Sequence, residues 1–345
     1  MLNGKRLVSF SMVKNEEDII EQFVRHHSQF VDTMYIADNM STDGTRSILD
    51  ELKKEGLPIV VWDDYEQGYL QSAKTTAGYH KIAASDSFAY FAAIDADEFI
   101  LLSDKNSISD VKGDVYHIVR YCHVLMPNNH AAHLNEMNWR LKNPQTPKIL
   151  IVHDPGNYSD FIIADGNHFV EKSGVRVQHQ PVSGALIIHY PYRSIAQYVN
   201  KVVIGWLAIL LREEGGADQK ECIGSHWRDE YVQLRACNFN INANDLIPRI
   251  YGCSSLDEFL CGCEECDGIV FADGKYKHLM QNRKLENLIL SSCERIIEEL
   301  WEYKGRVVLL GFRPGVRCRR LLTYYRQHGF LKTIRKVINN VCAGV

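Results

Sequence analysis

A chain of 345 residues, 46% apolar and 24% charged, has the composition of a soluble globular protein and is long enough for one large core or two. No apolar stretch follows the N-terminal basic residues as a signal peptide requires, and the longest apolar run, Val202 to Leu211, is too short to span a bilayer. Ten cysteines in such a chain suit reduced thiols in a cytoplasmic protein, not a disulfide framework.

Arg6 to Val13 predicts a first strand. Glu16, Glu17 and Asp18 then suit the positive end of a helix whose apolar residues Ile19, Ile20, Phe23, Val24 and Phe30 recur at helical spacing. Met34 to Ala37 predicts a second strand ending at Asp38. The stretch Asn39 to Thr45 is turn chemistry, in which Ser41 or Thr42 caps and Gly44 takes a positive φ. A helix from Arg46 to Glu55 stops at Gly56, Pro58 to Trp62 predicts a third strand, and Gln67 to Ala84 a further helix. Phe88 to Phe99, FAYFAAIDADEF, reads as a buried strand running into Asp95, Asp97 and Glu98. Carboxylates so close repel one another unless a cation sits between them, and a hard divalent ion is the natural occupant. The plainer alternative is an acidic solvated turn.

Strands alternating with helices predict βαβ units and a parallel sheet. Acids follow three of the strands, at Glu16, Asp38 and Asp95/Asp97, where an open α/β sheet presents its ligand site. There is no G-x-G-x-x-G and no P-loop. A site that gathers acids and lacks a glycine phosphate cradle is expected to handle a diphosphate through a metal.

SMVKNEED from Ser11, YIADNMSTDGT from Tyr35 and IDADEF from Ile94, in that order, resemble the opening half of family-2-like glycosyltransferases with the GT-A fold. The D-E-F continuation and the later HYPYRS resemble a bacterial subgroup associated with surface polysaccharides. The match is dense from Leu7 to Leu101 and patchy to about Lys201. The resemblance implies an α/β protein of GT-A (Rossmann-like) type, with a mainly parallel sheet, helices on both faces and a mostly helical C-terminal region. The implied divisions are a nucleotide-sugar-binding and catalytic domain over 1–212, an acceptor-side extension with a Cys-rich loop over 213–302, and a basic amphipathic tail over 303–345. The implied activity is metal-dependent transfer of a sugar from a nucleotide sugar, UDP foremost, to a glycan or lipid-linked glycan, with inversion. By the same resemblance Asp38 accepts a hydrogen bond from the base, and Glu16 lies near base or ribose. Asp95 faces ribose and metal, Asp97 binds the metal, and Asp43 caps the following helix.

Val115 to Val124 predicts a returning strand, Asn128 to Leu141 a polar loop over the site, Pro147 to Val152 another strand, and Asp165 to His168 a turn. Ala185 to Ile188 predicts a strand ending at His189, followed by a helix capped at Ser194 and running through Leu211. His189 is the expected third metal ligand and His168 its rival; a backbone-bonded histidine is the alternative for either. Two carboxylates and an imidazole suit Mn²⁺ or Mg²⁺, with the nitrogen favouring Mn²⁺. Lys148, Arg193 and Lys201 are candidates for the diphosphate or for a charged acceptor. The base that takes the acceptor's proton is sought among Asp165, Glu171, Asp229 and Glu230, with Asp229 and Asp165 foremost.

Cys253, Cys261, Cys263 and Cys266 would make a structural zinc site only if all four gathered; otherwise they are reduced thiols. His278 to Tyr303 predicts an amphipathic helix. From Tyr303 onward the chain carries ten Lys or Arg and no Asp or Glu, on a chain of net charge −4. Its interleaved Leu, Tyr, Phe and Ile suit an anionic membrane surface, or packing on the acidic body; no nucleic-acid motif accompanies it. Two other readings stand beside the glycosyltransferase. A sugar-phosphate nucleotidyltransferase normally opens with a Gly-rich basic loop, which Ser9 to Asp18 is not. A degenerate, non-enzymatic interaction protein is opposed by the presence of Asp38, Asp95 and Asp97.

Overall fold

The computed structural model describes residues 5–281 except 67, 69, 105–107, 109–112, 128–132, 157, 214–224 and 237–241. The basic tail, and all but the first few residues of the helix expected from His278, lie outside the described residues. Where it is described, that helix start is a single 3-10 turn, Lys277–Leu279.

In chain order the elements are β1 (Leu7–Val13), α1 (Ile20–His27), β2 (Thr33–Asp38), α2 (Thr45–Lys54), β3 (Ile59–Asp63), α3 (Gln71–Ser85) and β4 (Tyr90–Ala93). There follow β5 (Glu98–Leu102), β6 (Val115–Cys122), β7 (Trp139–Leu141), β8 (Gln145–Val152), β9 (Phe161–Ile163), β10 (Val170–Lys172), β11 (Val175–Arg176) and β12 (Gln180–His189). Last come α4 (Ile195–Glu213), α5 (Ser225–Ala236), α6 (Ala243–Ile250), α7 (Leu256–Gly262) and β13 (Cys263–Glu265).

Among the described residues eight strands form one sheet in the order β3-β2-β1-β4-β8-β6-β12-β5. The first four are mutually parallel, β8 runs against both neighbours, β12 is parallel to β6, and β5 runs against β12. The α/β fold class is as expected. Right-handed crossovers explain the layering. The chain steps outward from β1 to β2 to β3 through α1 and α2, then reverses through α3 to β4 on the other side of β1, so α3 falls on the opposite face. Strand pleating follows suit. Met34 and Ile36 of β2 pack with Phe23 and Val24 of α1 and Leu49 and Leu52 of α2; Tyr35 and Ala37 share the other face with Tyr79 and Ile82 of α3. The order therefore reverses between β1 and β4, and an open sheet holds its ligand in the crevice outside such a switch point.

Local expectations change in the turns. The stretch from Phe88 to Phe99 is not one strand. β4 ends at Ala93, the chain turns with Glu98 N–H donating to the Asp95 carbonyl at 3.0 Å, and Glu98 opens β5 along β12. Gly44 has φ −73°, not a positive value. Glycine fits there because a Cβ would collide with the Leu279 carbonyl oxygen. Gly56, at φ 84°, does end α2 as expected.

The chain divides into two compact units. The first, Met1–Val199, Ala208–Gln219 and Ile241–Asn282, holds the sheet, α1 to α3, α6 and α7. Within it, residues 266–281 form a strap along α1 and α2. Lys275 and Tyr276 amides donate to the Glu21 carboxylate at 2.9 Å each, and the Tyr276 hydroxyl donates to Glu55 at 2.5 Å. The second unit, Asn200–Leu207, Lys220–Asn240 and Arg283–Val345, includes the middle of α4 and all of α5, where Gly205 lies against the ring of Trp227. Among the described residues no helix is long and apolar enough to cross a membrane.

Candidate active site

The loops after β1 and β2 are built as one piece. Asn15 stands at φ 58°, a conformation asparagine tolerates better than most residues. Its side-chain oxygen accepts the Thr42 amide at 2.7 Å, and its own amide donates to Ser41 Oγ at 3.0 Å. Glu16 N–H donates to Thr45 Oγ1 at 2.8 Å, and Glu17 N–H to Asp43 at 3.2 Å. In return the Glu17 carboxylate accepts from Gly44 N at 2.6 Å. Asp43 also accepts from Thr45 N at 2.9 Å, an Asx-type turn just before α2; the N-cap of that helix is Gly44, without a side-chain cap, so neither Asp43 nor Ser41 or Thr42 caps it as expected. Burial, with the neighbouring Glu17 charge adding to it, pushes the Asp43 carboxyl up to about 6. Asp38 ends β2, buried, with one oxygen accepting from Ser41 N at 3.0 Å and the other 3.8 Å from Arg46.

The loops after β4 and β12 are built from charge. Lys148 Nζ, on β8, lies 2.5 Å from Asp95 and 3.3 Å from Glu98; Arg120, on β6, reaches Glu98 at 2.8 Å. Glu98 and Lys148 are buried, while the Asp95 side chain is a third exposed. Burial pushes Glu98 up, but Lys148, His189 and Arg120 outweigh it and hold the carboxyl below its ordinary range. Burial likewise opposes the Lys148 charge, and Asp95 and Glu98 more than restore it. Asp95 is raised, by burial and by the Glu98 and Asp97 charges, against the pull of Lys148. Its second oxygen faces the side-chain amides of Gln71 at 3.3 Å and Asn167 at 3.4 Å. Asp97 faces His189, with Oδ1 and Nε2 3.4 Å apart.

Arg193 joins the two sides. It is buried, and donates to Asp18 at 2.7 and 2.9 Å and to Glu16 at 2.6 Å, tying the loop after β1 to the loop after β12. Although burial disfavours its charge, the two carboxylates raise the guanidinium further above its already high range.

Of the expected metal set, the structure pairs Asp97 with His189 but pairs Asp95 with Lys148. Among the described residues no three His, Cys, Asp or Glu side chains gather as a preformed ligand cluster. The Asp97–His189 pair still fits a divalent ion. An oxygen and a nitrogen 3.4 Å apart can both reach one ion, and diphosphate and water oxygens are the usual remainder of such a shell. Charge points the same way. Glu16, Asp18, Asp95, Asp97 and Glu98 are five carboxyl groups against the three cations Lys148, Arg120 and Arg193, an excess of two negative charges.

The remaining expected residues are placed as follows. Lys148, expected on the diphosphate, is held by carboxylates because a buried ammonium is stable only when paired; Arg193 is committed likewise. Asp165 accepts the Ser72 amide at 2.9 Å, in the first turn of α3. Asp229 is exposed on α5, in the second unit. His168 donates Nδ1–H to the Pro147 carbonyl at 2.8 Å, and burial, then the Lys148 charge, push it down to about 4, so its ring is neutral at pH 7. The four cysteines of residues 253–266 include exposed Cys261 and buried Cys263, and Cys266 lies 3.6 Å from His123 Nε2. Arg120, Gln71 and Asn167 carry no role in the sequence reading. The available signal was a lone cation within each of the apolar strands β6 and β8, which a buried partner must explain.

No protein-family model matches the chain, and no curated protein does. Among solved structures, 99% of the chain aligns with 92% of S. aureus TarS 1-349 at 13% identity and a TM-score of 0.31. The mannosyltransferase PcManGT from Pyrobaculum calidifontis, solved with GDP-Man and Mn²⁺, aligns over 75% of this chain and 85% of its own at 13% identity and a TM-score of 0.34. Glucosyl-3-phosphoglycerate synthase from Mycobacterium tuberculosis, solved with Mn²⁺, UDP and glucosyl-3-phosphoglycerate, aligns over 35% of this chain at 16% identity and a TM-score of 0.23. The chain spans 45% of that synthase. It also spans 45% of the longer S. aureus TarS structure. At TM-scores of 0.34 and below these likenesses carry no argument about activity. What the chain itself shows is the strand order, the switch point beside β1 and the acids gathered at it, and these fit the GT-A arrangement that its motifs resemble.

Proposed function

We propose that this protein is a metal-dependent glycosyltransferase that moves a sugar from a nucleotide sugar, UDP foremost, to a hydroxyl of a glycan or lipid-linked glycan. The observation that carries the reading is the acid edge at the β1/β4 switch point, two negative charges in excess and without a glycine phosphate cradle. A divalent ion held by Asp97 and His189 would offset the charge developing on the departing diphosphate. Asp38, fixed by the Ser41 amide at the end of β2, is the acceptor for the base. Glu16, held by Arg193, lies on the same side. The Asp95 carboxylate, partly exposed, faces the ribose.

The acceptor hydroxyl attacks the anomeric carbon in line, inverting it, and yields its proton to a carboxylate. Asp165, with one oxygen fixed by the Ser72 amide, and Asp229 are the two to test. The basic segment 303–345 would hold the enzyme at the anionic inner face of a membrane that carries a lipid-linked acceptor.

Calorimetric titration of UDP into the full chain, with and without Mn²⁺, tests the reading, with GDP and CMP in parallel. Binding that needs the metal supports it. No binding of any of the three under either condition overturns it.

A further inference from the structure

One buried cation has no part in the donor site as drawn above. Lys148 stands 1% exposed beside the core residues Ile149, Leu150 and Ile151. An unpaired ammonium there would lose its charge or leave. It stays because Asp95 and Glu98 hold it, with Arg120 completing the neutralisation of Glu98. Gln71 and Asn167 face the other oxygen of Asp95. Asp95 is thus engaged on both oxygens by groups of this chain, while Asp97 faces His189. The two aspartates of one D-x-D sit in different electrostatic company.

We propose that Lys148 is the resident counter-cation of this site: paired with Asp95, it keeps that carboxylate out of the divalent-ion shell and sets how tightly the ion binds. The proposal rests on the donor-site reading. A fixed positive charge near the ion's seat weakens binding of the ion alone. The diphosphate brings negative charge that offsets it, so ion and nucleotide strengthen one another's binding by the same factor. Lys148 touches neither ion nor sugar in this scheme and is a positioning residue.

The test is Mn²⁺ binding to the full-length protein, read from the electron paramagnetic resonance of free Mn²⁺, with and without UDP or GDP. Removing one unit charge from beside a divalent ion should tighten binding of the ion alone by roughly tenfold, so K148M is expected to bind Mn²⁺ more tightly and to gain less from nucleotide. K148R should behave as the unaltered protein. The double variant D95N/K148M, which removes the pair as a unit, should bind within about threefold of the unaltered protein. A lysine of purely structural importance predicts weaker binding in K148M, the opposite sign. Unchanged or weaker binding in a folded K148M overturns the proposal, as does a double variant that loses Mn²⁺ as completely as D97N. If K148M does not fold, the double variant carries the decision, since it strands no charge. Failure of the unaltered protein to bind Mn²⁺ even with UDP or GDP overturns the donor-site reading itself, and the proposal with it.

Discussion

The acid edge has two sides built by different chemistry. Beside β1 and β2 the loops are closed by side chains accepting from backbone amides: Asn15 from Thr42, Ser41 from Asn15, Glu17 from Gly44. Beside β4 the turn into β5 is closed by ion pairs among Asp95, Glu98, Lys148 of β8 and Arg120 of β6. The first arrangement holds a shape through bonds that salt barely screens. The second stores an imbalance of charge, and its properties change with any ion that enters. On the function proposed above, a nucleoside diphosphate would use both, the rigid side for its base and the responsive side for its phosphates.

Breaking the link between the sides should have the largest effect. Arg193→Met strands Glu16 and Asp18 without their buried partner and should cost about 3–5 kcal/mol of stability in urea unfolding. Asp97→Asn acts on the charged side alone. Metal-dependent donor turnover should fall by about 100-fold while the urea midpoint stays close to that of the unaltered protein.

The hydrogen-bonded side is tested by pH. The Asp43 carboxyl is raised to about 6 in the fold, so the folded state binds its proton more tightly than the unfolded chain does. Its contribution is fully present below about pH 4 and is lost as pH rises through 6, about 3 kcal/mol in all. Unfolding free energies from pH 4 to 7 should show that decline, and Asp43→Asn should flatten it. The smallest effect is expected from Gly44→Ala. The added methyl meets the Leu279 carbonyl oxygen and should cost about 1 kcal/mol. Faster hydrogen exchange at the Lys275 and Tyr276 amides, with the sheet unchanged, would locate that cost in the strap.

Much of this was legible because the first hundred residues follow strict alternation of strand and helix, and the acids fall just after strand ends. Asp38, Asp97 and His189 could be singled out by position at or just after strand ends, and their expected roles came from the resemblance. The Asp97–His189 approach could not, since it depends on β5 turning back along β12, and the apolar run FILL after Glu98 reads equally well as a continued strand or a new one. Nor could the partners of Lys148 and Arg193 be read. Each lies in an otherwise ordinary segment, and the carboxylates that hold them are 53 and about 175 positions away. Gly44 misled for a related reason: its turn sequence suggested a backbone conformation, while the actual demand was space for a segment 235 residues later.

The Glu17 carboxylate that accepts from Gly44 also accepts from the Gln281 amide at 2.8 Å, across 264 positions of sequence. Synthesis at about 5–20 residues per second leaves tens of seconds between the emergence of Glu17 and that of Gln281. Throughout that interval the nascent chain can pair β1 with β2 and stack α1 on the young sheet, yet the clasp over its first two loops has not been made. The loops after β1 and β2 are among the earliest parts to be translated and among the last to be fastened.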